Sequence, residues 1–151
     1  MEVVILMGLQ ASGKSSFCRR FEGTHRIVSK DLFPNARRPQ ERQMRMIADA
    51  LGAGISVVVD NTNPSVEDRK PIIEAARAAG ASVIGYYLES SVDRSIALNS
   101  GRQGRKRVPD VGILSTAKRL TAPSLEEGFD KIHFVKMSPP DGFTVSEGVH
   151  G

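Results

Sequence analysis

GLQASGKS, residues 8–15, follows directly on the apolar run of residues 3–7 and matches the spacing G-x-x-x-x-G-K-[ST]. Glycines at positions 8 and 13 would let backbone N–H groups curl around a phosphate, because side chains there would block the approach or oppose a positive φ. Lys14 can then reach the β- and γ-phosphates, and the hydroxyl of Ser15 can ligate Mg²⁺. The spacing therefore predicts a P-loop that binds a nucleoside triphosphate together with Mg²⁺.

The alternative interpretation of this stretch is a glycine-rich turn that carries no ligand. A P-loop requires a strand before it and a helix after it. The sequence supplies both, since residues 3–7 are apolar and largely β-branched and residues 16–21 favour a helix. This context favours nucleotide binding. We expect the nucleotide contacts from nine consecutive residues: Gly8, Leu9, Gln10, Ala11, Ser12, Gly13, Lys14, Ser15 and Ser16.

With 151 residues, of which 40% are hydrophobic and 25% charged, the chain is expected to form a single soluble domain. No apolar run approaches the roughly 20 residues of a membrane span. No signal peptide is recognisable, so a cytoplasmic location is expected. The single cysteine, Cys18, excludes an internal disulfide, and its place in the first helix indicates a buried apolar role. The three histidines are far apart in sequence, which argues against a structural zinc site.

The formal net charge is +4 and the pI is near 9.5, values that suit a polyanionic substrate as well as an ordinary solvated surface. Aromatic residues make up only 5% of the chain, which argues against a platform that stacks many bases. Basic residues concentrate in two clusters: Arg37, Arg38, Arg42 and Arg45, and Arg102, Arg105, Lys106 and Arg107. The first cluster is either a solvated helix face or a wall for an anionic acceptor.

Two acidic residues follow predicted strands. Residues 26–28 and residues 55–59 have the pattern of short strands, and Asp31 and Asp60 come at or shortly after their ends. The C-terminal ends of parallel strands form the ligand-binding edge of an open sheet. Asp31 is either a general base that accepts a hydroxyl proton or a capping or turn residue. Asp60 is either the Walker B acid, which holds Mg²⁺ or its water, or a turn residue that begins the sequence DNTN.

The rest of the chain alternates strand and helix patterns. This alternation predicts an α/β three-layer fold, with a parallel sheet between helices. Further helices are expected at 66–79, 92–98 and 110–120, and further strands at 82–88 and 130–136. In a helix over 39–51, the apolar spacing predicts a buried face. That face comprises Met44, Ile47, Ala48 and Leu51.

Two irregular segments follow from the same patterns. The stretch NSGRQGRKRV, residues 99–108, has two glycines and four cations. It could close as a lid, at about 99–109, and bring an arginine to the transferring phosphoryl group. The alternative is a basic surface turn or a nucleic-acid patch. Residues 138–151 have two prolines, three glycines and little to bury, so an irregular tail is expected beyond a domain of residues 1–137.

Four stretches together resemble the kinase domain of the polynucleotide 5′-hydroxyl kinase family, a branch of the P-loop kinases. They are GLQASGKS, SKD at 29–31, VVVDNTNPSVEDRKPIIEAARAAG at 57–80, and APSLEEGFDKI at 122–132. The first is common to many nucleotide enzymes, whereas VVVDNTNP followed by the AARAAG helix is much more specific. The resemblance implies a kinase-type P-loop fold with five parallel strands in the order 2-3-1-4-5. It also implies ATP with Mg²⁺ as donor and a hydroxyl acceptor, most specifically a DNA or RNA 5′ end.

Individual roles are carried over with the resemblance. Asp31 matches the family's general base, and Lys14 keeps its P-loop role toward the phosphates. Arg102 matches the lid arginine that contacts the phosphates, and this makes it a nucleotide-binding and catalytic candidate. Asp60 matches the acid of the DNTN strand end, so that Ser15 and Asp60 are the expected Mg²⁺ ligands.

Some positions depart from the family's pattern. Lys30 stands where the family has an arginine before the base, and Pro34 stands where some members have an arginine that holds an acceptor phosphate. Arg105 is a second lid candidate. Two alternatives stay open: a small-metabolite or nucleoside kinase of the same fold, and a P-loop ATPase switch with no hydroxyl acceptor. A non-catalytic nucleic-acid binder would leave the P-loop, Asp31 and Asp60 without a purpose.

Overall fold

The computed structural model describes residues 1–102, 108–138 and 142–148. The middle layer is a six-stranded sheet with strands at Glu2–Met7 (β1), Arg26–Val28 (β2), Val57–Asp60 (β3), Ser82–Leu88 (β4), Lys131–Ser138 (β5) and Gly142–Glu147 (β6). The helices are Lys14–Cys18 (α1), Pro39–Gly52 (α2), Val66–Ala78 (α3), Val92–Ser100 (α4) and Asp110–Arg119 (α5). Short 3₁₀ turns occur at Arg19–Phe21, Lys30–Leu32 and Leu125–Glu127. Within the described ranges, no helix is long and apolar enough to cross a membrane.

Five strands are parallel and lie in the order β2-β3-β1-β4-β5, which confirms the predicted sheet order. The central strand β1 is buried on both faces. Val3, Ile5 and Met7 pack in the core that includes α2 and α3, whereas Val4 and Leu6 pack in the core that includes α1. A parallel strand covered on both faces needs a continuous apolar sequence. This requirement explains the apolar run that precedes the P-loop.

The sixth strand, β6, corrects both the expected irregular tail and the expected count of five strands. It pairs antiparallel with β5, with Phe143 opposite Met137 and Val145 opposite Val135. The Phe143 ring also packs edge-on against Phe17 of α1, with ring centroids 5.3 Å apart. Pairing satisfies the edge of β5. Within β6 only Phe143 is half-buried and the other residues are exposed, so backbone pairing and the Phe143 contact form this strand. The domain boundary after residue 137 and the lid limits stay predictions.

Helix α2 buries a different set of residues from the one that the spacing predicted. Ala48 is exposed and Met44 is only half-buried. The buried side chains of α2 are Gln43, Ile47, Ala50 and Leu51. These positions recur at helical spacing, so they share one face. A buried glutamine therefore takes a place on the core-facing side where the apolar pattern predicted none.

Cys18 is buried in α1, as the sequence predicted. Burial raises the pKa of its thiol to about 12, and the Asp60 and Glu22 carboxylates act in the same direction. A thiol with this pKa stays protonated at neutral pH and is a poor nucleophile. Cys18 therefore contributes to packing.

The parallel pairing brings three loops to one edge of the sheet. Leu6 of β1 lies beside Asp60 of β3, and Val28 of β2 lies beside Val59 of β3. The P-loop, the turn at Lys30–Leu32 and the residues after β3 therefore begin at the same edge. In open α/β sheets, this is the edge at which ligands bind.

Candidate phosphotransfer site

The loop between β1 and α1 has the backbone conformation of a phosphate cradle. Gly8 has a φ of 151° and Gly13 a φ of 95°. A Cβ atom on Gly8 would lie 2.9 Å from the carbonyl oxygen of Leu88, so a larger residue would displace the backbone. Ala11 also has a positive φ, 58°. Such a conformation is costly for alanine and concentrates at ligand-binding loops.

Two buried polar atoms of this loop have no hydrogen-bond partner among the described residues: Gln10 Oε1 and Ser12 Oγ. The amide nitrogen of Gln10 is satisfied, since it donates to Thr116 Oγ1 of α5 at 2.9 Å. Buried polar atoms without partners are rare in folded proteins. Their presence in the loop fits a polar ligand, such as a nucleotide phosphate, or water held there.

Lys14 is the first residue of α1, and its side chain folds back over the loop. Its Nζ donates to the carbonyl oxygen of Leu9 at 2.6 Å. Burial lowers the pKa of the Lys14 ammonium to about 8; Asp60 opposes this shift, Arg102 adds to it and Asp31 opposes it. A nucleotide phosphate would supply the negative charge that stabilises a buried ammonium.

ATP binding is expected to take up a proton at pH values above about 8, because a bound phosphate raises the pKa of Lys14. The affinity should be level below this pH and should fall by up to about tenfold per pH unit above it. Titration calorimetry in buffers of different ionisation enthalpy measures both effects. Lys14→Arg stays protonated and should lose the proton uptake. Uptake that persists in this variant would assign the titration to another group.

Ser15 and Asp60 form the candidate Mg²⁺ position. Ser15 Oγ donates to Asp60 Oδ2 at 3.3 Å. Burial raises the pKa of Asp60, while Lys14 and the Ser15 hydrogen bond lower it. A half-buried carboxylate beside a hydroxyl offers the hard oxygen donors that Mg²⁺ prefers. The described residues contain no cluster of three or more His, Cys, Asp or Glu able to hold a metal, so an ion would need phosphate or water oxygens as well.

Asp31 lies in the turn at Lys30–Leu32, and its side chain is exposed. Ser29 caps this turn, because its Oγ accepts from the backbone N–H of Asp31 at 3.2 Å. The carboxylate of Asp31 is therefore not the cap of this turn, although Asp31 is a turn residue, as the alternative interpretation also allowed. It lines the same cavity as Lys14 and Asp60.

Arg102 lies two residues beyond α4, and its half-buried side chain lines this cavity as well. The buried side chain of Asn99 makes two hydrogen bonds to the backbone of Val108, and these connect the two ends of the predicted lid. Its Oδ1 accepts from the N–H of Val108 at 2.9 Å, and its Nδ2 donates to the carbonyl oxygen of Val108 at 2.6 Å. Residues 103–107, which include the lid candidate Arg105, lie outside the described residues.

One cavity of about 420 Å³ collects the sequence-predicted catalytic and metal residues. All five line it: Lys14, Ser15, Asp31, Asp60 and Arg102. Gln10 and Ala11 of the loop also line it. The other predicted nucleotide contacts lie outside its lining: Gly8, Leu9, Ser12, Gly13 and Ser16. The cavity therefore contains the predicted catalytic and metal residues but only part of the predicted nucleotide-binding loop.

The sequence analysis did not predict two polar contacts between elements near the cavity. Arg69 of α3 is fully buried and pairs with Glu127 at 2.8 Å. Asn61, directly after β3, accepts from the N–H of Lys30 in the turn that carries Asp31. It also donates to Gln43 of α2, and so it joins the turn to this helix. The available signals were a glutamine among the apolar residues of α2 and the short polar run after β3.

The fold and the site define a P-loop protein of the kinase type. The parallel sheet has the order β2-β3-β1-β4-β5, the phosphate loop follows β1, and an acidic residue ends β3. A family model described as AAA domain matches residues 3–123, and the chain belongs to this family.

The known relatives confirm the predicted resemblance to polynucleotide kinases. Over 140 residues, the chain is 30% identical to a bifunctional polynucleotide phosphatase/kinase of Schizosaccharomyces pombe, covering 89% of this chain and 33% of that protein. The chain thus spans about a third of that relative's length. A structure of a Pnkp1/Rnl/Hen1 complex matches 69% of this chain and 40% of that chain, with 20% identity and a TM-score of 0.56. A gluconokinase from Sinorhizobium meliloti 1021 matches 92% of this chain and 84% of that chain, with 19% identity and a TM-score of 0.64.

Proposed function

We propose that the chain is an ATP-dependent kinase that transfers the γ-phosphoryl group to an acceptor hydroxyl. The observation that carries this proposal is that Lys14, Asp31 and Asp60 line one cavity, although they belong to three separate elements: the start of α1, the turn after β2 and the end of β3. A P-loop alone would serve any nucleotide-binding protein. The added carboxylate of Asp31 supplies a group that can accept a proton from an attacking hydroxyl.

The proposed roles follow from the chemistry of phosphoryl transfer, in which positioning and electrostatics supply most of the catalysis. Lys14 binds the β- and γ-phosphates, and Arg102 stabilises the charge of the transferring group. Ser15 and Asp60 would hold Mg²⁺, which offsets phosphate charge when bound. Asp31 orients the acceptor hydroxyl and takes its proton as the new phosphoester bond forms.

The acceptor that we propose is the 5′-hydroxyl of a DNA or RNA strand. The 30% identity to a polynucleotide phosphatase/kinase supports this choice. Arg37 and Arg38 directly precede α2, and Gln40 and Gln43 of that helix line the cavity. None of the four arginines of the basic cluster lines the cavity itself. Arg37 and Arg38 are close in sequence to Gln40, which lines it, and from there they could contact the phosphates of a bound strand.

A small-metabolite kinase is the second candidate, because two carboxylates also line the cavity. Glu67 and Asp68 lie at the start of α3, and Asp68 pairs with Arg119 at 3.3 Å. Carboxylates disfavour the phosphates of a polymer, and Pro34 offers no cation of its own. These groups would suit a neutral polyol, and the gluconokinase likeness agrees in fold.

Transfer of label from γ-labelled ATP separates the two candidates. With Mg²⁺ present, a short oligonucleotide with a free 5′-hydroxyl is expected to gain the label. The same oligonucleotide with a 5′-phosphate is the matched control and should gain none. A panel of polyols and nucleosides is assayed beside them. Label that appears only on a small alcohol would reject the polynucleotide acceptor and support the metabolite kinase.

A further inference from the structure

The orientation of the Asn61 amide is set by the backbone. Its Oδ1 accepts from the backbone N–H of Lys30 at 3.0 Å. A backbone N–H can only donate, so the oxygen of Asn61 must face Lys30. The nitrogen of the same amide therefore faces the other way, as a donor.

The orientation of Asn61 in turn fixes that of Gln43. Asn61 Nδ2 donates to Gln43 Oε1 at 2.6 Å, so the carbonyl oxygen of Gln43 is occupied. Gln43 is only 1% exposed, yet it lines the cavity that Asp31 and Asp60 share. Its amide nitrogen has no hydrogen bond to any residue in the part of the chain that the structure describes. The group that Gln43 can offer a ligand is consequently an N–H donor of fixed direction.

The location of this donor points to the acceptor rather than to ATP. Asn61 holds the backbone of Lys30, which directly precedes the candidate base Asp31. Gln43 therefore belongs to the same hydrogen-bonded unit as the turn that carries Asp31. It is contributed by α2, whereas the predicted phosphate contacts come from the P-loop and from Arg102. An uncharged donor here suits an uncharged oxygen of the acceptor.

We propose that Gln43 is an acceptor-binding residue, an inference that rests on the kinase function proposed above. Its Nε2 donates a hydrogen bond to the oxygen on the carbon next to the one that carries the reacting hydroxyl. In a polynucleotide 5′ end, that oxygen is the ring oxygen of the terminal sugar; in a polyol, it is the neighbouring hydroxyl. A site built to hydrogen-bond a substrate oxygen discriminates against analogues that lack it.

Two variants separate acceptor binding from support of Asn61. Gln43→Leu removes both amide functions, whereas Gln43→Glu keeps an oxygen for Asn61 and removes the donor once its carboxyl is ionised. Burial and neighbouring carboxylates raise the pKa of a carboxyl, so transfer by both variants is measured over a pH series that extends far above the ordinary pKa of glutamate. Both variants should lower kcat/KM for the acceptor by about tenfold or more, while calorimetric affinity for ATP stays within about twofold of wild type. Near wild-type activity of Gln43→Glu beside a defective Gln43→Leu would overturn the proposal, because only the Asn61 contact would then matter.

A modified substrate tests the partner oxygen. An oligonucleotide whose 5′-terminal sugar has CH₂ in place of the ring oxygen should lower the wild-type kcat/KM by about tenfold. Gln43→Leu should treat the natural and modified oligonucleotides alike. If the modified oligonucleotide lowered kcat/KM equally in wild type and in Gln43→Leu, the role of Gln43 would be overturned and the kinase function would stand. Absence of wild-type transfer to any 5′-hydroxyl oligonucleotide would instead reject the polynucleotide acceptor. The same variants would then be compared on the labelled alcohol, with and without its neighbouring oxygen, and no transfer to any hydroxyl would reject both proposals.

Discussion

Asp31→Asn is expected to lower the rate of phosphoryl transfer by about 10²- to 10⁴-fold, the usual contribution of a general base. Asparagine has the same shape as aspartate but cannot take the proton of the acceptor hydroxyl. The backbone of the turn should be retained, because Ser29 rather than the Asp31 side chain caps it. Affinity for ATP should change little, since the P-loop and Arg102 are unaltered. Single-turnover transfer and calorimetric ATP binding measure the two quantities separately.

Asp49→Asn is the matched control, since it makes the same chemical change at an exposed aspartate of α2 outside the cavity lining. It should transfer phosphoryl groups at nearly the wild-type rate. If Asp31→Asn also kept a rate within about threefold of wild type, far from the effect of losing a base, Asp31 would not be the base. Such a result would leave the kinase activity in place and assign the acceptor proton to another group.

Arg69→Met is expected to lower the free energy of unfolding by about 3–5 kcal/mol, because it leaves the buried carboxylate of Glu127 without its partner. The Arg69 side chain is fully buried and that of Glu127 is 6% exposed. Their contact has two points, Nε to Oε1 at 2.8 Å and Nη2 to Oε2 at 3.1 Å. The other terminal nitrogen of Arg69 donates to the carbonyl oxygen of Thr121 at 2.9 Å. Urea denaturation of wild type and variant measures the loss.

Lys70→Met is the control for this prediction, since Lys70 is the next residue of α3 and its side chain is 71% exposed. Its 4.0 Å contact with Glu74 is an exposed pair one helical turn apart, so its loss should be below about 0.5 kcal/mol. The double variant Arg69→Met/Glu127→Leu removes both buried charges and should recover part of the lost stability. The recovery is incomplete because the hydrogen bond from the Ser124 N–H to Glu127 is lost with the carboxylate. The structure indicates that the pair is desolvated. A loss below about 1 kcal/mol for Arg69→Met would contradict this, because such a small loss is typical of a solvent-exposed pair.

The arrangement of the P-loop residues could be predicted from the sequence because local spacing determines it. Gly8, Gly13, Lys14 and Ser15 belong to one short loop, whose conformation depends on residues within it and on the strand before it. Asp60 could also be predicted, since parallel pairing must bring the end of its strand beside β1. Lys14, Ser15 and Asp60 line one cavity. Gly8 and Gly13 have the positive φ angles that the loop requires.

The long-range contacts could not be predicted, because they join distant parts of the chain. Gln43 and Asn61 meet across 18 positions of sequence, and helical spacing alone suggested an apolar face. Arg69 and Glu127 are separated by 58 positions, and each looks like an ordinary surface charge. Composition likewise predicted an irregular tail where β6 forms, because the pairing of β6 depends on the free edge of β5.

The most direct test of the phosphotransfer proposal is the ratio of ADP to phosphoester formed from γ-labelled ATP, Mg²⁺ and a 5′-hydroxyl oligonucleotide. Transfer to the hydroxyl produces one phosphoester for each ADP, so the proposal predicts a ratio near one. Asp31→Asn should lower both products together. ADP accompanied only by free phosphate, with no label on the oligonucleotide or on any alcohol of the panel, would contradict the proposal.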